Sequence, residues 1–198
     1  MFENIYILSF LVVYFLVVFV IPSVRVKRKT GINPYVFKNT DSAHDFLGKV
    51  SAPITSLIFI VALVNLFYPE GLQYFAPFVW LEISILKYAG FTFIHLALSW
   101  IIVAQIQMSN SWRVGIDHAA KTELKTNGLF SVSRNPVFLG MLITLAGFFL
   151  ILPNAITLLV FVGSTLLFQV QVRLEEEYLN SVHADAYLHY CKKVPRWI

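Results

Sequence analysis

Charged residues are scarce in this chain, where they make up 13% of 198 residues. Soluble globular domains have about 25% charged residues, so the deficit argues against a water-soluble fold. Cysteine is nearly absent as well. With Cys191 alone, an internal disulfide is excluded, and no Cys/His spacing resembles a zinc site. We therefore predict no metal centre.

Hydrophobic residues, by contrast, make up 58% of the chain and are gathered into long runs. A membrane-spanning helix needs about 20 mostly apolar residues. The sequence therefore predicts an all-α, polytopic membrane protein that forms a single domain over residues 1–198. About five transmembrane helices are expected, over residues 2–21, 46–68, 80–107, 136–152 and 154–172. The first run lacks the basic start and the cleavage site of a signal peptide, so we expect it to be a retained span.

Basic residues are distributed unevenly among the connections. Of the 15 Lys and Arg residues, 14 fall in the first connection with the adjoining start of the second span (Lys49), in the connection after the third span or in the C-terminal tail, and Lys87 is the exception. Cytoplasmic segments of membrane proteins carry an excess of Lys and Arg. The N-terminus is therefore predicted outside and the C-terminus in the cytoplasm. The net charge of +4 is explained by topology and does not indicate nucleic-acid binding.

Two polar clusters flank the last pair of predicted spans. Arg134-Asn135-Pro136 precedes the fourth span, where the N–H groups of a helix start could bind a ligand; alternatively, it is only a helix start with a basic flank. Glu175-Glu176-Glu177 follows the fifth span, either as a solvated helix face or as a partly buried acidic group. The tail from Glu175 to Lys193 is predicted to be an amphipathic helix outside the hydrocarbon. Because only Pro153 and Asn154 separate the two spans, a tight hairpin should bring both clusters together in a cytoplasmic lid.

Several motifs follow one another in the second half of the chain. They are Leu124-Lys-Thr-Asn-Gly128-Leu-Phe130, Arg134-Asn-Pro-Val-Phe138-Leu-Gly140, Glu175-Glu-Glu-Tyr-Leu179, Asp185-Ala-Tyr187-Leu-His-Tyr190 and Val194-Pro-Arg196. In this order and spacing they resemble the isoprenylcysteine carboxyl methyltransferase family and its relatives, the phospholipid N-methyltransferases. The resemblance covers roughly residues 109–198, a methyltransferase-like cofactor-binding part.

Family members transfer a methyl group from S-adenosylmethionine to a lipophilic, membrane-borne acceptor and release S-adenosylhomocysteine. The resemblance implies the same reaction here, with the cofactor entering from the cytoplasm and the acceptor from the bilayer. It implies catalytic roles for Arg134, Glu175 and Glu176, and it places Gln171 on the substrate side. The residues implied to bind the cofactor are Thr122, Glu123, Leu124, Lys125, Gly128, Phe130, Asn135, Pro136, Val137, Phe138, Glu175 and Tyr187.

Three residues depart from the family pattern. Asn135 stands where many members have His, Phe138 replaces Tyr, and Gln171 stands where isoprenylcysteine enzymes have a substrate-contacting Arg. The acceptor is therefore left open. These departures also motivate a second hypothesis, a non-catalytic membrane subunit or binding protein that reuses the fold. A transporter is disfavoured, because no predicted span has paired charges near its centre and the sequence shows no repeat.

His95 is an ionisable residue within the third predicted span. Such residues are candidates for function by default, so we expect His95 on the substrate side. The alternative is a neutral imidazole hydrogen-bonded between helices.

Overall fold

The computed structural model describes residues 1–37, 40–115 and 123–198. Its α-helices are α1 (Phe2–Phe15), α2 (Ile21–Thr30), α3 (Ala43–Phe67), α4 (Ser84–Met108), α5 (Pro136–Ile151) and α6 (Ala155–Lys193). A π-helical turn, Leu16–Val20, joins α1 to α2 without interruption. The described residues form two isolated β-bridges and no strand. The predicted all-α fold is therefore confirmed.

Among the described residues, four helices are long and apolar enough to cross a bilayer: Phe2–Thr30, Ala43–Phe67, Ser84–Met108 and Ala155–Lys193. The fourth predicted span, residues 136–152, forms the shorter apolar helix α5, which has 16 residues. At about 1.5 Å per residue this helix is about 24 Å long, less than the hydrocarbon thickness of about 30 Å. The polytopic membrane architecture is thus confirmed, with four full-length candidates and one short apolar helix.

Two helices extend well past the apolar runs that predicted them. The first continues through its basic segment and ends at Gly31, whose φ of 72° is the left-handed conformation common after helix ends. The tail is predicted as a separate helix from Glu175 onward; instead the helix of the fifth span continues past Glu175, and a kink at Ala184, where φ is 43°, divides α6 into two helical segments. Apolar runs mark the part of a helix that suits lipid, and hydrogen bonding continues beyond it.

Helices α4 and α5 pack closely because glycines line their interface. A Cβ atom added to Gly90 would lie 2.6 Å from the carbonyl oxygen of Gly147, and one added to Gly140 would lie 2.4 Å from Ile101. Small residues allow the backbones of membrane helices to approach in this way. Near the start of α5, the indole Nε1 of Trp100 donates to the Pro136 carbonyl at 2.9 Å. These contacts fix the beginning of α5 against α4.

The turn between α5 and α6 is capped by Asn154. Its side-chain oxygen accepts from the backbone N–H groups of Ile156 and Thr157, both at 3.0 Å, and the Thr157 side chain accepts from the Asn154 N–H. This reciprocal arrangement is a capping box. It produces the predicted tight hairpin and returns α6 to the end of the molecule where α5 begins.

Candidate functional site

The two polar clusters meet around the carboxylate of Glu176. Arg134 Nη2 lies 3.2 Å from Glu176 Oε1, so the hairpin brings the two clusters into contact. Arg196 contacts the same carboxylate in a two-point arrangement, with Nε 3.1 Å from both oxygens and an Nη2 to Oε2 distance of 2.7 Å. The hydrogen bonds with Glu176 raise the pKa of Arg196 above its usual value, so this guanidinium is charged at neutral pH. Two guanidinium groups therefore hold one largely buried carboxylate.

A large cavity of about 450 Å³ lies beside this cluster. Its wall is mainly apolar and comes from α1, α3, α5 and α6 together with the segment before α5. Aromatic residues from all these parts contribute, including Tyr14, Phe15, Phe59, Trp112, Phe138 and Phe168. A pocket of this volume and lining is typical of a site for a small lipophilic molecule.

A smaller and more polar pocket of about 140 Å³ lies next to the first. Three consecutive residues before the 3₁₀ turn Gly128–Ser131 form part of it, as does the far half of α6. Its lining includes Glu123, Leu124, Lys125, Phe130, Tyr178, Leu179, Tyr187 and Tyr190. Lys125 and Glu123 pair at 2.5 Å. This pocket gathers many of the residues that the resemblance assigned to the cofactor.

The two pockets share one wall. The residues that face both are Met108, Arg113, Gly115, Phe130, Arg134, Asn135 and Glu175. A molecule in the polar pocket and a molecule in the apolar cavity would therefore meet across four of the predicted site residues. The start of α5 and the acidic segment of α6 supply three of these four.

Glu175 is the carboxylate on the shared wall. Gln171, one turn earlier on α6, donates from Nε2 to Glu175 Oε1 at 3.2 Å. The Gln171 side-chain oxygen and the Arg134 Nε are buried without a hydrogen-bond partner among the described residues. Buried polar atoms are nearly always paired, so a polar ligand group at this wall would satisfy them.

The remaining predicted residues, apart from His95, fall into four groups. Pro136, Val137, Phe138 and Gln171 line the apolar cavity and are absent from the lining of the polar pocket as described. Gly128 has a φ of +62°, and a Cβ atom there would lie 2.2 Å from Gln107, so its role in the fold is to let the chain turn beneath that side chain. Thr122 lies outside the described residues. Glu176 holds Arg134 and Arg196 and lines neither pocket in the part of the chain described here.

His95 does not share the site with the other predicted residues. Its Nε2 makes a short hydrogen bond with the Tyr6 hydroxyl of α1, and its Nδ1 lies 2.6 Å from the Phe91 carbonyl oxygen. Neither pocket includes it among the described lining residues. The geometry matches the alternative hypothesis of an imidazole bonded between helices.

Sequence reasoning did not assign several residues that surround the site. Arg196 was noted only as part of a motif and as a basic tail residue, yet it contacts Glu176. Tyr190 donates its hydroxyl to the Phe130 carbonyl at 2.5 Å. Tyr14 and Phe59 belong to helices outside the motif region, and no local pattern distinguishes them from other apolar residues facing lipid.

Comparison with known proteins identifies the family. A family model described as phospholipid methyltransferase matches residues 71–186, which is more than half of the chain. No curated protein matches the sequence. The matched segment contains both polar clusters, whereas Arg196 lies beyond its end. The family includes the isoprenylcysteine carboxyl methyltransferases, so the resemblance seen in the motifs is confirmed. The chain belongs to the phospholipid methyltransferase family of integral membrane methyltransferases.

Proposed function

We propose that the protein transfers a methyl group from S-adenosylmethionine to a lipophilic acceptor held in the apolar cavity. The observation that carries this proposal is the shared wall of Phe130, Arg134, Asn135 and Glu175. A methyl transfer needs donor and acceptor in contact, and two adjoining pockets of opposite polarity meet that need.

The residues of the polar pocket fit the donor chemically. S-adenosylmethionine has an ammonium group, a carboxylate, an aromatic base and a sulfonium. Glu175 can pair with the ammonium group, and Phe130 can pack against the base. The Arg134 Nε, which has no hydrogen-bond partner among the described residues, can donate to an oxygen atom of the cofactor. When bound, the cofactor supplies an activated methyl group. The protein's own contribution is to orient both molecules and to exclude water.

The apolar cavity supports an acceptor that arrives from the bilayer. Phe15 and Phe59 line the cavity and belong to two candidate membrane spans. Their rings meet edge to face, with centroids 6.3 Å apart. The Gln171 side-chain oxygen has no hydrogen-bond partner within the described part of the chain, and the Glu175 carboxylate beside it can also accept hydrogen bonds. This end of the cavity therefore suits a methyl-accepting group that can donate a hydrogen bond from an N–H or O–H. Glu175 and Gln171 would orient that group at the shared wall.

Binding of S-adenosylhomocysteine to the purified protein in detergent tests the donor assignment. We expect Glu175→Gln to weaken binding by about tenfold or more, because a hydrogen bond to a charged group contributes about 1.5–3 kcal/mol. Glu177→Gln makes the same chemical change at an exposed neighbour and should leave the affinity unchanged. Calorimetric titrations that show no binding at millimolar ligand, or equal affinities for both variants, would contradict the assignment.

The departures at Asn135 and Phe138 favour a second candidate function, a binding subunit without catalytic activity. Asn135 Nδ2 donates to Glu176 Oε1 at 3.4 Å and to the Arg196 carbonyl at 3.2 Å, so this amide already has structural partners. Incubation with labelled donor and a membrane lipid extract separates the two functions. An enzyme should produce labelled lipid, whereas a binding subunit should bind S-adenosylhomocysteine and produce none.

A further inference from the structure

We propose that Arg196 is a positioning residue for methyl transfer: by holding Glu176 it fixes Arg134 and Asn135 at the wall shared by the two pockets. The inference rests on the proposed function and extends it to a residue that lies beyond the matched family segment. Within the described part of the chain, Arg196 lines neither pocket, so its effect must be transmitted through its neighbours.

The side-chain contacts of Arg196 are directional. Its Nε and Nη2 atoms contact both oxygens of Glu176 at 2.7–3.1 Å. A two-point arginine–carboxylate pair restricts orientation as well as distance. Glu176 in turn contacts the Arg134 guanidinium at 3.2 Å and the Asn135 amide at 3.4 Å. Arg196 thus determines where the carboxylate lies, and the carboxylate determines where two residues of the shared wall lie.

The main chain of the same segment makes parallel contacts. The Pro195 carbonyl accepts from the Arg134 N–H at 3.0 Å. The Arg196 carbonyl accepts from Ser133 Oγ at 3.4 Å and from Asn135 Nδ2 at 3.2 Å. Three consecutive residues before α5 are therefore tied to two consecutive residues after α6. The start of α5 cannot shift without breaking this set.

Charge also connects Arg196 to the site. Glu175 and Glu176 are adjacent carboxylates, and two arginines contact Glu176. Removing Arg196 would leave Arg134 as the remaining guanidinium that contacts Glu176 among the described residues, and the carboxylate would lose the two-point contact that fixes its orientation. The side chain on the shared wall would then occupy more than one position. A displacement of about 1 Å at a reaction site can reduce the rate about 100-fold.

The test uses the full chain in lipid nanodiscs with labelled donor and a membrane lipid extract, and expresses rates per folded molecule. We expect Arg196→Gln to lower kcat about tenfold or more while the KM for the acceptor changes less than about twofold. Arg196→Lys restores the charge but cannot form the two-point contact, so it should recover part of the rate. Arg173→Gln is the matched control, because Arg173 is exposed and bonds to Gln169 within its own helix.

Each outcome separates this inference from the function on which it rests. If the wild-type protein is active and Arg196→Gln has the same kcat, the inference is overturned and the proposed function stands. A loss that tracks only the folded fraction, or that equals the loss in Arg173→Gln, also overturns it. A wild-type protein that neither binds S-adenosylhomocysteine nor transfers methyl groups overturns both.

Discussion

Tyr190 connects the far end of α6 to the aromatic residue on the shared wall. Its hydroxyl donates to the Phe130 carbonyl at 2.5 Å, and its side chain is buried beside Tyr187 and Val194. We expect Tyr190→Phe to lower the free energy of unfolding by about 1 kcal/mol or more, because it leaves a buried carbonyl without its donor. Tyr74→Phe removes a hydroxyl from an exposed residue and serves as the control. Thermal unfolding in detergent should separate the two variants; identical midpoints would contradict the prediction.

Individual contacts at the site could be predicted only where chain geometry forced them. The contact between Arg134 and Glu176 follows from a short hairpin that brings both helix ends to one side. The contact between Arg196 and Glu176 could not be predicted, because a tail residue can reach several acidic partners. For His95, too, the contact partner could not be predicted. Its position in a span indicated function, whereas the partner that explains it, Tyr6, lies on a different helix.

At the scale of helices, the contact between α4 and α5 provides a sharp test of packing. A Cβ atom at Gly147 would lie 2.7 Å from Ile94 Cγ2 and 2.9 Å from the Gly90 carbonyl oxygen. Overpacking of this kind costs about 1–3 kcal/mol, which outweighs the gain of about 1 kcal/mol for replacing glycine by alanine in a helix. We therefore expect Gly147→Ala to lower the melting temperature.

Gly163→Ala is the matched control for that change. It makes the same substitution in α6, where the nearest atom to the added Cβ would be 3.7 Å away. Helix propensity then acts without a clash, so this variant should be as stable as the wild-type protein or more so. If both variants unfold at the same temperature, glycine does not serve close packing at position 147.

The α5–α6 turn gives a second prediction for an element. Asn154→Ala removes the acceptor for two N–H groups at the start of α6. Loss of such a cap costs about 0.5–2 kcal/mol. Asn180→Ala changes an exposed residue in the interior of the same helix, where alanine is the better helix former. The melting temperature should fall for the first variant and not for the second; the reverse order would contradict the capping role.

Helix number and order could be read from the apolar runs, but helix ends could not. A run ends where the sequence becomes polar, whereas a helix ends where its hydrogen bonding fails. This difference explains why the helix around the first span reaches Thr30 and why α6 continues beyond residue 172 to its kink at Ala184. The second span is predicted from residue 46, whereas α3 begins at Ala43 and includes Pro53 in its interior. No local pattern predicts the π-turn Leu16–Val20. Within this turn the Val18 carbonyl accepts from Gln105 Nε2 of α4 at 2.7 Å.

For the molecule as a whole, the apolar cavity was the feature least accessible to sequence reasoning. Motifs after residue 109 pointed to the polar pocket and to the start of α5. The opposite side of the cavity comes from α1 and α3, whose residues were recognised only as apolar spans. Cavity walls arise from the way helices pack, and apolar composition alone does not distinguish a residue facing a cavity from one facing lipid.

The arrangement of charge leads to the prediction for the whole protein. Lys87, the exception to the one-sided distribution of basic residues, forms an ion pair with Glu3 at 2.9 Å. Lys87 lies near the beginning of α4 and Glu3 near the beginning of α1, at the end of the molecule opposite the two pockets. The other basic residues that the structure describes fall at the pocket end or on connections leading to it. We therefore predict that the pocket end faces the cytoplasm, where S-adenosylmethionine is available.

Cysteine labelling can test this orientation, because Cys191 is the sole native cysteine. In a Cys191→Ser background, Glu70→Cys places a thiol in the connection between α3 and α4, and Lys29→Cys places one at the end of α2; both positions are exposed. A membrane-impermeant maleimide should label the first in intact cells and the second only after permeabilisation, since positively charged segments are retained in the cytoplasm. The opposite pattern would put the donor pocket outside the cell, where a cytoplasmic cofactor could not reach Glu175. It would therefore contradict both the orientation and the route proposed for the methyl donor.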